Sequence, residues 1–371
     1  MIEYPGRLAV QQRVLPNYRV AFFDLLARRC RGGLVLFSGE PLPGESIPFG
    51  DRPREAEHTL GRNAHAFDPE HPFYFCNQPY LLRWLEQTRP DALVVEANPR
   101  YPRNLDAVNR VHQRGKPALG WGLGVPEAGG IGSVLRGLLR DRMLKRLDGI
   151  IAYSSQGAAE YARTGFFKPG TIFTARNAAA PPPGLPPARP GMGEGRLNVL
   201  FVGRLQKRKR LDLLFEACRS LPDQLRPAVT VVGDGPDRRH FEDLARGMQL
   251  PVAFTGALHG APLAERFRAA DLFVLPGTGG LAVQEAMSYG LPVIVADGDG
   301  TQKDLVRPDS GWLVPPGDLS ALSGTLKLAL ADRAGLAARG AESRRITVEE
   351  INIETMAYRF IEAVLTVLKM K

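Results

Sequence analysis

Short apolar runs alternate along this chain with longer stretches whose apolar residues recur every three or four positions. Residues 34–38, 92–96, 118–120 and 149–152 read as buried strands, and 18–29, 78–87, 103–114, 133–147 and 155–164 read as helices. That alternation predicts a parallel sheet with helices on both faces. Residues 181–195, PPPGLPPARPGMGEG, are rich in proline and glycine and predict a linker. Beyond them the pattern restarts. Runs 198–202, 228–232, 252–255 and 272–275 read as strands, and 211–220, 238–248 and 263–269 as helices. The tail, 349–371, reads as a helix with Ile351, Ile361, Val364, Leu365 and Leu368 on its apolar side. The expected fold class is therefore α/β, with two Rossmann-like, doubly wound parallel-sheet domains facing across a cleft. The expected boundaries are 1–180, a linker at 181–196, a second domain at 197–348, and a last helix at 349–371. The cleft is the default site, and no short-period repeat is present.

One segment carries most of the chemistry. The strand 272–275 ends in Pro276 and a glycine-rich turn, Gly277-Thr278-Gly279-Gly280. A helical pattern then runs from Leu281 to Tyr289 with one acid, Glu285, and Gly290 and Pro292 stop it before the next strand. A strand, a glycine turn and a helix start form an anion-binding geometry, because unpaired backbone N–H groups point out of the helix. Glu285 is expected two turns into the helix, within a carboxylate's reach of ribose hydroxyls.

Composition narrows the classes. The length of 371 residues suits two domains, and 44% hydrophobic with 23% charged residues is ordinary for a globular chain. Cys30, Cys76 and Cys218 are few, odd in number and widely spaced, which predicts a reducing compartment and no disulfide framework. Neither they nor the six histidines have metal-ligand spacing. The opening MIEYPGRLAV has no long apolar core, so no signal peptide is expected, and no apolar run approaches the roughly 20 residues of a membrane span. A cytoplasmic location is the expectation. The net charge of +9 favours anionic partners such as nucleotides, phosphates or an acidic membrane face. Nucleic acid is not an expected partner, because the basic residues are scattered and no recognition module is present.

The second half resembles retaining glycosyltransferases of the large family 4 (group 1), which have the GT-B fold. LFVGRLQKRKRLDLLFEA (200–217) is similar to the family's strand–GRLxxxKG–helix element, and VTVVGDGPDRRHFEDLA (229–245) to its GDGP element. VAFTGAL (252–258) matches its F-x-G turn, and 272–293 its P-S-x-x-E-G-F-G-L-x-x-x-E-A-M-x-x-G-x-P-V signature. SGWLVPPGD (310–318) matches its G-x-L-V-P-P-G-D. Each motif alone is weak, and five in order are specific. The first half matches more loosely, at LDGIIAYSSQGAAEYARTG and at the turn Asn177-Ala178-Ala179.

The resemblance implies transfer of a sugar, with retention, from a nucleotide-diphosphate sugar to a glycan, lipid-linked or small-molecule hydroxyl. It implies no metal and no other cofactor. The diphosphate would be neutralised by Arg204 and Lys209, which follow a strand on the loop entering a helix. A guanidinium fork and an ammonium suit that task, and charge developing on a leaving group is usually the largest catalytic term. Glu285 would bind the donor ribose. Backbone at Thr255, Gly256 and Leu258 would hold the base. Gly203, Gly233 and the loop of Gly277, Thr278, Gly279, Gly280 and Leu281 would line the donor. The bland reading of Arg204 and Lys209 is a solvated basic loop, since Lys207, Arg208 and Arg210 surround them, and that of Glu285 is a partly buried structural acid. The flanking motifs favour the functional readings.

Three departures stand out. The family places two glutamates eight positions apart; the second is Glu285, and the first falls on Gly277. Many relatives carry a double-glycine loop where this chain has Val14 to Arg19, with Tyr18 and Arg19 opening a helix. Where relatives often have a histidine, this chain has Trp121-Gly122-Leu123-Gly124, which suggests an aromatic wall. Tyr18, Arg19, Glu96, Asn98 and Trp121 are the acceptor-side candidates, with ordinary loop chemistry as the competing account of Glu96, Asn98 and Arg100.

Asp297-Gly298-Asp299 has the form of a metal-binding D-x-D but in the wrong architecture, so no metal is expected there. Residues 300–304 fall at the family's donor-side loop. The helix opening at Ser133 and closing at Leu147 carries Val134, Leu135, Leu138, Leu139, Leu144 and Leu147 on one side and Arg136, Arg140, Arg142, Lys145 and Arg146 beside them. It suits either an anionic membrane surface or a core helix with a basic face. Two rival functions remain: a GT-B nucleotide-sugar epimerase, and an inactive nucleotide-sugar-binding protein motivated by Gly277.

Overall fold

A computed structural model describes residues 2–42, 45, 47–69, 71–125, 132–178, 195–298 and 300–370, so the expected linker lies almost wholly outside the described residues. The chain divides into two compact units, Met1–Ala179 with Ile353–Lys371, and Ala180–Asn352.

The first unit runs β1 (Leu8–Val14), α1 (Val20–Arg28), β2 (Leu34–Gly39), β3 (Glu57–Gly61), β4 (Ala64–Ala66) and β5 (Phe75–Asn77). It continues with α2 (Leu81–Thr88), β6 (Ala92–Glu96), α3 (Arg103–His112), β7 (Ala118–Gly122), α4 (Ser133–Leu144), β8 (Gly149–Ala152), α5 (Ser155–Arg163) and β9 (Ile172–Thr174). Seven strands form a parallel sheet in the order β3-β2-β1-β6-β7-β8-β9, and β4 pairs antiparallel with β5 beside it. Helices cover both faces, so successive strand residues enter different cores. Leu8 and Val10 pack with Phe22, Phe23, Trp121 and Phe360 on one face. Ala9 packs with Phe37, Trp84 and Val95 on the other.

The second unit runs β10 (Asn198–Val202), α6 (Leu211–Ser220), β11 (Ala228–Val232), α7 (Arg238–Gly247), β12 (Val252–Gly256), α8 (Gly260–Ala269) and β13 (Leu272–Leu275). It continues with α9 (Leu281–Ser288), β14 (Val293–Ala296), α10 (Gln302–Leu305), β15 (Gly311–Val314), α11 (Leu319–Ala331) and α12 (Arg333–Arg345). Its parallel sheet has the order β12-β11-β10-β13-β14-β15. In both sheets the strand order reverses beside the first strand, between β1 and β6 and between β10 and β13. Ligands of doubly wound sheets sit outside the carboxyl ends of the strands at such a point.

The tail differs from its expected form. Ile346–Glu350 is a π-turn, and the last helix, α13 (Ile353–Met370), begins only after it. Ile351 belongs to the core of the second unit, whereas Ile353, Met356 and Phe360 belong to the core of the first. A continuous helix from residue 349 would run through the place where the chain changes cores. The helix expected over 133–147 also ends early, at Leu144, and its apolar side divides. Leu144 and Leu147 enter the core, while Val134, Leu135 and Leu138 are exposed.

Candidate functional site

At the carboxyl edge of the second sheet, the loop after β10 is laced to the loop after β11. Gly203 N donates to Val232 O at 3.0 Å, Leu205 N to Asp234 O at 2.9 Å, and Asp237 N to Leu205 O at 3.1 Å. This closeness explains two glycines of the GDGP element: a Cβ on Gly233, which has φ +140°, would land on Gly203 O, and one on Gly235 would land on Leu205 O. Gly233 N in turn donates to Gly256 O at 2.8 Å. Arg204, Gly233 and Leu258 thus follow the ends of three adjacent strands, Thr255 and Gly256 are the last residues of β12, and Leu258 packs on the core. The hydroxyl of Thr255 is taken up by Gly256 O at 3.0 Å.

The fourth adjacent strand, β13, delivers the glycine loop. Thr278 N donates to Arg208 O at 3.2 Å, Arg208 Nη1 to Thr278 Oγ1 at 3.2 Å, and Lys209 Nζ to Thr278 O at 2.6 Å. The basic turn therefore lies directly on the loop. A Cβ at Gly277 would overlap Arg208 O and come within 2.5 Å of Lys209 Cα, and a Cβ at Gly279, φ +134°, would overlap Lys209 Nζ. From the other side, Gln302 Nε2 donates to Gly279 O at 2.9 Å, and a Cβ at Gly280 would meet Thr301 Oγ1 at 2.8 Å. The loop also differs in length from the family signature. Four residues separate Pro276 from Leu281, against seven between the corresponding proline and leucine of the motif. The position eight before Glu285 consequently lies against the 208–209 backbone, where no side chain fits.

Gly280 precedes α9 without a side-chain cap, so the first-turn N–H groups of Leu281 and its neighbours face outward. Glu285 follows one turn later, half-buried. Its carboxylate has no hydrogen bond or ion pair among the described residues, and burial raises its pKa. Asp297 is paired with Lys303 at 2.9 Å, and Asp299 lies outside the described residues.

The acceptor-side candidates all belong to the first unit but are not brought to one surface. The aromatic wall expected at Trp121 is not open to ligand. Trp121 is 1% exposed, in the core between Phe22, Phe23, Tyr153 and Phe360, because it lies within β7, which is buried on both faces. Arg19 is likewise buried rather than open. Its guanidinium stacks on Trp121 at 4.7 Å, donates to Asn177 Oδ1 at 2.6 Å, and contacts Met356 Sδ at 3.7 Å. Tyr18 stays exposed. Asn98 Oδ1 accepts from Arg100 N at 3.0 Å and closes a local turn.

Glu96 is different, because it ends β6 at the point where the strand order reverses. Burial pushes its carboxyl up to about 7, against the charge of Arg13, a hydrogen bond from the Arg13 backbone and the charge of Arg19. Around it is a polar cluster that the apolar pattern does not reveal. Arg13 grips Glu45 through two bonds of 2.9 and 2.8 Å. Burial alone lifts the Glu45 carboxyl, but Arg13 and the Leu42 N–H outweigh it and bring the group below its ordinary value. Gln11 Nε2 donates to Gln78 Oε1 at 2.7 Å, and Gln78 Nε2 to Asn63 Oδ1 at 2.9 Å. The one signal of this cluster in the sequence is the polar triplet Gln11-Gln12-Arg13 interrupting a strand-like run.

A family model described as "Glycosyl transferases group 1" covers residues 187–347. Sulfoquinovosyl transferase SQD2 of Arabidopsis thaliana is 36% identical over 167 residues, 43% of this chain and 30% of the relative. A GDP-mannose-dependent alpha-mannosyltransferase of Mycolicibacterium smegmatis is 43% identical over 119 residues, 31% of this chain and 29% of the relative. The matched segments thus span about a third of the curated relatives' length. The structure of Anabaena HepE in complex with UDP superposes with a TM-score of 0.75 at 15% identity, covering 97% of this chain and 99% of that one. The two-sheet fold expected from the sequence is the fold of that protein. Over residues 187–347 this chain is similar to the glycosyl transferases group 1 family.

Proposed function

We propose that this protein is a retaining glycosyltransferase that moves a sugar from a nucleoside-diphosphate sugar to a hydroxyl of a glycan or lipid-linked acceptor. The observation that carries this reading is the junction of the basic turn with the glycine loop where the second sheet reverses its strand order. A diphosphate placed at the start of α9 meets outward N–H groups, with Arg204 and Lys209 beside it as fixed cations. The half-buried Glu285 carboxylate, without an internal partner among the described residues, suits two adjacent ribose hydroxyls. The curated relatives named above use GDP-mannose or transfer sulfoquinovose, and HepE holds UDP. As the bond to the anomeric carbon breaks, the cations stabilise the diphosphate leaving group, and the acceptor hydroxyl adds from the same face while a diphosphate oxygen takes its proton. Arg204 and Lys209 supply the positive charge, so the reaction needs no divalent ion.

The test is a thermal-shift series with UDP, GDP, ADP and their common sugars, with magnesium and with EDTA. A ligand that binds the native state alone raises the melting temperature by mass action. One nucleotide is expected to give a metal-independent shift that Glu285→Ala abolishes. Absence of a shift with every nucleotide would overturn the donor assignment. Release of epimerised free donor would overturn transfer in favour of epimerisation.

A second reading concerns location. Val134, Leu135 and Leu138 are 76%, 48% and 65% exposed on α4, with Arg142, Lys145 and Arg146 further along the same segment. Exposed apolar residues flanked by cations fit the surface of an anionic bilayer, and among the described residues no helix is long and apolar enough to cross one. The reading places the protein peripherally on the inner face of the membrane. Flotation with phosphatidylglycerol vesicles should be lost in Leu138→Glu and unaffected in Leu328→Glu, an equally exposed site on α11.

A further inference from the structure

At one edge of the first sheet, the ends of β2 and β3 open into a groove of about 530 Å³, within the range of small-molecule sites. Its lining includes Glu40, Leu42, Leu60, Arg62, His65 and Tyr80. The groove is built on a fixed floor. Asn63 Nδ2 donates to Arg13 O and Glu40 O, each at 2.8 Å, while its Oδ1 accepts from the buried Gln78. Gly39 gives Asn63 its room, since a Cβ there would overlap the amide. Above this floor the lining is unusual for a surface that only faces water. Tyr80 and Leu60 are about half exposed. Arg62 and the Glu40 carboxylate have no side-chain partner among the described residues. His65 has its Nδ1 held by Tyr74 Oη at 2.9 Å and its ring stacked on Tyr74, which leaves Nε2 without a partner among the described residues. Burial and the Arg13 charge lower its pKa, so the imidazole is neutral near pH 7, able to donate or accept.

We propose that this groove binds pyranose rings of a glycan, with Tyr80 against the apolar face of a ring and His65, Glu40 and Arg62 on its hydroxyls. The chemistry of a pyranose divides in the same way. Its axial C–H bonds form an apolar face that an aromatic ring and leucines cover, and its hydroxyls each need a donor and an acceptor. A bare acyl chain would leave Arg62, Glu40 and His65 desolvated without hydrogen bonds, at a cost. A free phosphate would meet Glu40 as a like charge and make no use of Tyr80. The inference names the acceptor of the proposed function as a glycan. Only the link to transfer rests on that function, and sugar binding stands apart from it.

The experiment is saturation-transfer NMR on the full chain with methyl α-glucoside, methyl α-mannoside, methyl α-galactoside and their α-linked disaccharides. At least one is expected to receive saturation, strongest at the ring protons of one face. Tyr80→Ala and Arg62→Ala change exposed side chains and should keep the wild-type melting temperature. Tyr80→Ala should cut the transfer about fivefold, the scale of one lost aromatic contact. Nucleotide-induced thermal shifts should be unchanged in both variants. No transfer to any saccharide, or equal transfer in wild type and Tyr80→Ala, overturns the proposal. A nucleotide shift that is missing while sugar transfer persists overturns the donor assignment instead and leaves the groove standing. Loss of phosphatidylglycerol flotation in Tyr80→Ala with saccharide signals intact would assign Tyr80 to a lipid surface and overturn the sugar reading.

Discussion

Lys209 Nζ donates to the carbonyl oxygen of Thr278 at 2.6 Å. That bond makes the basic turn after β10 and the glycine loop after β13 one structural piece, although 69 residues separate them in sequence. It also gives a reason for glycine at 277 and 279. The backbone of residues 208–209 occupies the space a side chain at 277 would need, and Gly279 holds a φ of +134°, which side chains rarely adopt. Gly277→Glu, which restores the acid of the family pattern, is expected to lower stability by about 1–3 kcal/mol, as overpacking does. It should weaken nucleotide binding rather than improve it. Urea unfolding and a nucleotide titration check both outcomes. A variant as stable as wild type with tighter donor binding would sink the steric account.

Arg204→Ala and Lys209→Met remove the charges assigned to the leaving diphosphate. Each is expected to reduce turnover about 100-fold or more. The cost to stability should stay near about 1 kcal/mol, the typical worth of one hydrogen bond. Steady-state kinetics set beside thermal melts separate the two effects. Turnover unchanged in both variants would remove these residues from the reaction.

Glu285 has a carboxyl raised by burial. The folded protein therefore holds that proton more tightly than the unfolded chain. The stability penalty of ionisation is absent below the unfolded value of 4.5 and is present above the raised folded value. Glu285→Gln should raise the melting temperature at pH 8 and leave it unchanged at pH 4, while weakening nucleotide binding at pH 8. A carboxylate kept at such a cost without a ligand role would instead leave donor affinity untouched.

The same sign applies with a wider window at Glu96, whose carboxyl is pushed up to about 7. The penalty grows from pH 4.5 to about 7 and is complete above. Glu96→Gln is expected to stabilise the protein by about 2–3 kcal/mol at pH 8. The gain should vanish by pH 4. Denaturation curves across that range decide it, and a gain independent of pH would point to packing rather than titration.

Much of the second unit is legible in the sequence. Val199, Phe201, Phe273 and Val293 stand in short apolar runs bounded by glycine and proline, and a strand buried on both faces has no other way to read. Glu285 and the glycine loop are visible for the same local reason, since helix starts and turns are specified within a few residues. The first strand is not. Gln11, Gln12 and Arg13 interrupt its apolar run, yet Gln11 and Gln12 are buried, because Gln78 from a distant turn satisfies Gln11 and because Gln12 bonds the backbone. Burial of a polar side chain depends on a partner that periodicity cannot see.

What the sequence alone determined is thus the strands and helices of the regular apolar runs, the glycine turns and the family resemblance of the second half, since each depends on local spacing. Only the tertiary structure decided that Trp121 and Arg19 face inward, that α4 leaves Val134 and Leu138 uncovered, and that Gly277 has no room for an acid. Those outcomes follow from contacts between segments far apart in the chain: β7 is covered on both faces, α13 brings Met356 against Arg19, and Lys209 rests on Thr278.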